Sequence, residues 1–149
     1  MRGRRGAVGR QGGPHEALRH TLAQVGDRWS PLVVQALQGG PRRFVDLLEA
    51  LEGIAPNILS DRLKRLEAAG VVSSSPYSER PVRLAYDLTG WGRDLAGALR
   101  LLAEWGARRT GEEAAVRHGA CGTALETRWY CPTCARITEE GEGGELDFL

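Results

Sequence analysis

The sequence predicts a mainly α chain with one small β-hairpin, an α+β class built on a single core, and three observations carry that expectation. Five segments bounded by Gly or Pro read as helices, the clearest with apolar residues at spacings of three and four. One stretch, Val82 to Leu88, alternates apolar and polar residues with a period of two. The length, 149 residues, is about one domain's worth with room for a small appendage.

Residues 1–14, rich in Gly and Arg and ending in Gly12, Gly13 and Pro14, lack apolar periodicity and are expected to form a disordered basic arm. The folded domain is expected over 15–110. Leu18, Leu22 and Val25 give a first helix from His15 one apolar face, and Gly26 ends it. Ser30 is suited to cap a second helix, with Pro31 in its first turn, running to about Gln38 before Gly39, Gly40 and Pro41 stop it. A short third helix follows Phe44 through Val45, Leu47, Leu48 and Leu51 and ends at Gly53.

Residues 56–69 form the most informative helix, opened by Pro56 and stopped by Gly70. At 100° per residue Ile58, Leu59, Leu63, Leu66 and Ala69 share one arc, while Asn57, Ser60, Asp61, Lys64 and Ala68 lie opposite. Val71 and Val72 begin a strand, 73–81 reads as a loop, and Val82, Leu84, Tyr86 and Leu88 form the second strand. Thr89 can cap a last helix to about Arg109, in which Trp91, Leu95, Ala98, Leu102 and Trp105 make a seam. That seam is suited equally to a partner helix or to covering its own domain.

The net charge of +1 conceals a division along the chain. Arg2, Arg4, Arg5 and Arg10 stand in 1–14 without an acid, whereas 139–149, expected to be a disordered acidic tail, carry Glu139, Glu140, Glu142, Glu145 and Asp147. Setting the tail aside leaves 20 basic against 14 acidic residues, +6, which suits an anionic partner. No stretch approaches the roughly 20 apolar residues of a membrane span, and no apolar run follows the N-terminal arginines, so a cytoplasmic address without a membrane is expected. Enzyme function is not expected. There is no phosphate loop, no nucleophile elbow and no His with an acid at a useful spacing, and His15 and His20 fall on one exposed helix.

Two short helices joined by a turn containing Gly53, followed by a basic hairpin, are the sequence order of a winged helix-turn-helix. A major groove about 12 Å wide admits one α-helix, which must present small and polar side chains outward while its apolar arc anchors it. The candidate DNA contacts are Pro56, Asn57, Ser60, Asp61, Lys64 and Arg65 on the helix, with Arg80 and Arg83 on the hairpin at about 73–81. Asn57 is suited to adenine, Lys64 to guanine or phosphate, and the arginines to the adjacent backbone or minor groove. Lys64 and Arg65 also fit an ordinary solvated helix surface, and Arg62, on the apolar arc by angle, fits a structural ion pair. A protein-binding adaptor would share the architecture without needing the basic hairpin and polar helix face.

The segments Gly26-Asp-Arg-Trp29-Ser-Pro-Leu and Gly40-Pro-Arg-Arg-Phe44-Val-Asp-Leu47 resemble the opening signature of HxlR-type transcription regulators. Leu59-Ser-Asp-Arg-Leu63-Lys-Arg-Leu66-Glu-Ala-Ala-Gly70-Val-Val, Pro81-Val-Arg-Leu-Ala-Tyr86-Asp-Leu88-Thr89 and Trp105 continue it over about 15–109. The resemblance implies a MarR-like winged-helix homodimer, paired through its N- and C-terminal helices, that reads double-stranded DNA and acts as a repressor or activator, here expected as a repressor. It leaves room for a small-molecule effector. Some members sense oxidants through a Cys near the first helices, but the first Cys here is Cys121. Ala55 also departs from the Ser common before the recognition helix, a loss of a cap hydroxyl typically worth about 1 kcal/mol.

Residues 111–138 lie outside that signature and hold all three cysteines. His118-Gly-Ala-Cys121 and Cys131-Pro-Thr-Cys134 are two pairs with two intervening residues each, a zinc-knuckle-like set suited to a structural, non-catalytic zinc ion. Glu126 or a water is an alternative fourth ligand to His118. The same residues also read as free thiols, or as a redox pair at Cys131 and Cys134.

Overall fold

The computed structural model describes residues 15–112 and 116–138, so the basic arm at 1–14 and the acidic tail at 139–149 lie outside the described residues. The winged domain comprises α1 (Glu16–Val25), α2 (Ser30–Ala36) with a 3-10 turn at Leu37–Gly39, β1 (Arg42–Arg43), α3 (Phe44–Ala50), α4 (Pro56–Ala68), β2 (Val72–Glu79), β3 (Val82–Leu88) and α5 (Gly90–Thr110). Two further strands, β4 (Trp129–Cys131) and β5 (Arg136–Thr138), form a separate antiparallel hairpin. No helix among the described residues is long and apolar enough to cross a membrane.

The core is one cluster in which every helix and the base of the hairpin take part. Val33 and Val34 of α2, Leu47 of α3, and Leu59, Leu63 and Leu66 of α4 are essentially inaccessible, as is Val71. Val72 and Leu88, paired across β2 and β3, tie the hairpin to that cluster. Truncating a buried leucine of this kind typically costs about 2–5 kcal/mol, so the α4 arc read from the sequence is what fixes the helix in place.

Three local expectations need correction. Residues 73–81 are not a loop: β2 runs to Glu79, antiparallel to β3, and only Arg80 and Pro81 form the turn. Serines and Pro76 read as a loop by propensity, but the ladder overrides it. Pro76 is tolerated because β2 is an edge strand in the order β1-β3-β2, with a register irregularity between Pro76 and Ser78. Arg42 and Arg43, given no strand by the sequence, bridge to Tyr86 and Ala85 on the other edge of β3.

Ser30 does not cap α2. It is buried inside the first turn, and Asp27 supplies the cap, accepting hydrogen bonds from the Trp29 and Ser30 backbone N–H groups at 2.9 and 3.0 Å and from the Ser30 hydroxyl. Burial pushes the Asp27 carboxyl up, but the Ser30 hydroxyl, these backbone donors and the charge of Arg62 outweigh it and hold its pKa below 3.8. A carboxylate with a depressed folded pKa stabilises the fold above its unfolded pKa, and the effect fades as pH falls through the folded one. Asp27→Ala is therefore expected to cost about 1–2 kcal/mol at neutral pH. Urea unfolding at neutral pH and near pH 3 should show the gap to wild type narrowing in acid. A gap of equal size at both would contradict this role.

Thr89 caps α5 as expected, its hydroxyl oxygen accepting from the Gly92 N–H at 3.0 Å while the hydroxyl donates to the Gly70 carbonyl at 2.6 Å. The last turn ends at Gly111 in the left-handed region, φ 73°. Of the α1 face, only Val25 is buried; Leu18 and Leu22 are 60% and 55% exposed. The α5 seam is split: Leu95 packs against the core, while Trp91, Leu102 and Trp105 are exposed by 67%, 59% and 56%.

Candidate nucleic-acid interface

The turn that delivers α4 is set by Gly53, whose φ of +83° a residue with a Cβ adopts only with strain. The chain then reaches Ala55 in an extended conformation without a side-chain cap, and Pro56 fits the first turn because its missing N–H has no helical partner to lose. With Leu59, Leu63 and Leu66 inward, Pro56, Asn57, Asp61, Lys64 and Arg65 are exposed and Ser60 is half-buried. The sequence-predicted helix contacts thus share one accessible helix surface.

Its electrostatics separate structural from available charge. Arg62 is largely buried, with Nε 3.1 Å from Asp27 Oδ1 and a terminal nitrogen 3.2 Å from Asp61 Oδ2. The Nε contact is an ion pair rather than a hydrogen bond, since Nε is buried and finds no aligned acceptor. Arg62 thus takes the structural role expected for it and neutralises Asp61, the exposed acid of α4. The side chains of Lys64 and Arg65 make no ion pair or hydrogen bond among the described residues, leaving α4 with cations available to an outside anion.

The hairpin leaves directly from the end of α4. Gly70, at φ +70°, reverses the chain, and its paired strands carry the turn residues Arg80 and Pro81, joined by a cis peptide. The side chains of Arg80 and Arg83 are exposed and have no ion-pair or hydrogen-bond partner among the described residues. Tyr77, 47% exposed at the irregularity in β2, was not singled out by the sequence; it lies with Arg43, Phe44 and Arg83 along a cleft of about 280 Å³. Its signal was masked by the loop reading of 73–81.

Arg43 is spoken for. Its guanidinium contacts Asp46 at 2.5 Å, which pulls the Asp46 carboxyl down to about 2 and raises Arg43. Together they close a capping box at the start of α3.

The four metal-ligand candidates come together as two pairs. His118 Nδ1 is 3.3 Å from Cys121 Sγ, and the Cys134 N–H donates to Cys131 Sγ at 3.5 Å. Among the described residues no three His, Cys, Asp or Glu side chains converge to hold a metal, and no cysteine forms a disulfide. The Thr123 hydroxyl and backbone N–H, with His118, favour the Cys121 thiolate and bring its pKa to about 7; the N–H of Cys134 lowers that of Cys131.

Comparison with known proteins places this architecture. The family model described as HxlR-like helix-turn-helix matches residues 24–114. The uncharacterized HTH-type transcriptional regulator Rv3095 of Mycobacterium tuberculosis is 37% identical over 123 residues, covering 80% of this chain and 77% of its own. The reduced form of the transcriptional regulator YodB from B. subtilis superposes with a TM-score of 0.56 at 29% identity, over 62% of this chain and 91% of its own. The redox regulator HypR in its reduced form gives 0.60 at 28% identity, over 63% and 93%.

Proposed function

The chain belongs to the HxlR-like helix-turn-helix family of transcription regulators, and from that premise we propose that it binds specific duplex DNA as a homodimer and represses transcription from the promoters it occupies, in the cytoplasm. In this reading α4 enters the major groove and the β2–β3 hairpin lies on the adjacent backbone or minor groove. The observation that carries it is the pairing of a buried leucine face on α4 with exposed cations, Lys64, Arg65, Arg80 and Arg83, that have no acidic partner among the described residues. Relatives and fold are those of regulators, not enzymes.

In this reading Asn57, exposed in the first turn of α4, reads base edges, since an Asn amide matches the donor and acceptor of adenine. Arg80, in the hairpin turn, supplies charge without sequence information. Arg80→Ala is expected to weaken binding to all duplexes alike, and Asn57→Ala to change the preferred sequence at about 1–3 kcal/mol for its base pair. Selection from a randomised duplex library with each variant checks this. The same preferred sequence for Asn57→Ala and wild type would contradict the assignment.

The homodimer rests on the open apolar faces of α1 and α5. Leu18, Leu22, Trp91, Leu102 and Trp105 are each more than half exposed in the single chain, large apolar side chains on two helices that a partner would cover. A partner covering them would place two α4 helices on one duplex, at half-sites about one helical turn, 34–36 Å, or a multiple apart. Leu102→Glu together with Trp105→Glu is expected to yield a monomer by sedimentation. A dimer that persists in this variant would contradict the assigned faces.

A further inference from the structure

We propose that residues 116–138 are a zinc-stabilised unit in which His118 and Cys121 on one hairpin tip and Cys131 and Cys134 on another bind a single structural ion. The first tip is closed by the Arg117–Ala124 bridge, with the His118 N–H donating to the Thr123 carbonyl at 2.8 Å and Gly122 turning the chain at φ +70°. The second is the turn between β4 and β5, where Ala135 takes a positive φ of 51°. Both donor pairs therefore sit where a short chain reversal presents them together.

A second, independent observation is that this segment has no core. No residue from 116 to 138 is buried, and Leu125, Trp129, Tyr130 and Ile137 are exposed by 48–60%. Isolated hairpins of three-residue strands are marginal in water, and segments this small are ordinarily held by a disulfide or a metal. No disulfide is present.

The donor chemistry selects the ion. Three thiolates and an imidazole are soft and borderline donors that suit tetrahedral zinc and not calcium or magnesium. Bond lengths of about 2.3 Å to sulfur and 2.0 Å to nitrogen place tetrahedral S and N ligands about 3.5 Å apart, close to the 3.3 Å between Cys121 Sγ and His118 Nδ1. The N–H of Cys134 donates to Cys131 Sγ at 3.5 Å, so the turn holds these two cysteines close together. Glu126 is a weaker fourth ligand than His118 because Arg128 holds it at 2.6 Å. The two pairs do not converge among the described residues, so binding would draw the tips together, and order in 116–138 should depend on the metal while the winged domain does not.

The test is the metal content of the full-length chain purified without chelator, together with the absorption spectrum after cobalt(II) replacement. One zinc per chain, tetrahedral cobalt bands with thiolate charge transfer, and loss of both in Cys121→Ser and in Cys131→Ser at an unchanged melting temperature of the winged domain are expected. Chelation should speed hydrogen exchange in 116–138 and leave α2 to α4 unaltered. Zinc-free protein with no tetrahedral cobalt spectrum would overturn the proposal, as would zinc retained undiminished in both serine variants or an intact-mass measurement showing a Cys131–Cys134 disulfide in the freshly purified chain. Undiminished cobalt bands in His118→Ala would overturn the assignment of that ligand.

Discussion

Raising salt from about 50 to about 200 mM is expected to cut the affinity for operator DNA by about 10³–10⁵-fold. Each cation that neutralises a phosphate releases a condensed counterion, and log affinity falls by about 0.9 per contact for each tenfold rise in salt. Lys64, Arg65, Arg80 and Arg83 are the exposed cations of α4 and the hairpin without acidic partners among the described residues, four in each protomer and eight in a dimer. Arg62 and Arg43, engaged by Asp27, Asp61 and Asp46, are left out because freeing them would break structural pairs. Arg80→Ala with Arg83→Ala removes four cations from the dimer and should flatten the slope by about 3.6. An unchanged slope in that variant would place the phosphate contacts elsewhere.

Gly92→Ala is expected to damage the fold more than any other single methyl added to α5. The first turn of α5 lies so close to the base of the hairpin that a Cβ at 92 would stand 2.1 Å from the Val71 carbonyl oxygen and 3.2 Å from Leu88 Cδ2. The nearer atom is backbone, and it is held: the Thr89 N–H donates to the same carbonyl at 3.1 Å. Relief therefore requires α5 to shift from the hairpin base, at a cost at or above the upper end of the 1–3 kcal/mol typical of overpacking. For a domain near 100 residues that lowers the melting temperature by about 10–20 °C. Gly90→Ala, where an added Cβ meets nothing within 4 Å, serves as the control and should melt at or above wild type. Equal melting of the two variants would contradict the close approach.

Much of this was legible in the sequence because local chemistry and global packing agree. The leucines of α4 repeat at helical spacing and are the residues at the centre of the core, so one pattern identified both the helix and its buried face. Gly53 and Gly70 occupy backbone conformations that their position between helices and strands demanded, and Thr89 caps α5 as its place before Gly90 suggested. What escaped depends on partners distant in the chain. Ser73 to Ser75 and Pro76 carry little strand propensity and are extended because β3 lies opposite, and Arg42 and Arg43 form a strand only through Tyr86 and Ala85. Asp27 carries a recognisable signal, an acid before a Pro-containing helix start, but the adjacent Ser30 is an equally good capping type and the two differ only in geometry. The seam on α5 was readable as apolar, yet whether it faced inward or outward was settled only by its exposure.

The most direct test of a DNA-reading surface made by α4 and the hairpin is a fluorescence-anisotropy titration of the full-length chain against the duplex upstream of its own gene, with scrambled competitor present. Tight binding that resists competitor and is lost in the Asn57→Ala, Arg80→Ala double variant is the expected result. Binding equal for every duplex, or undiminished in that variant, would contradict it.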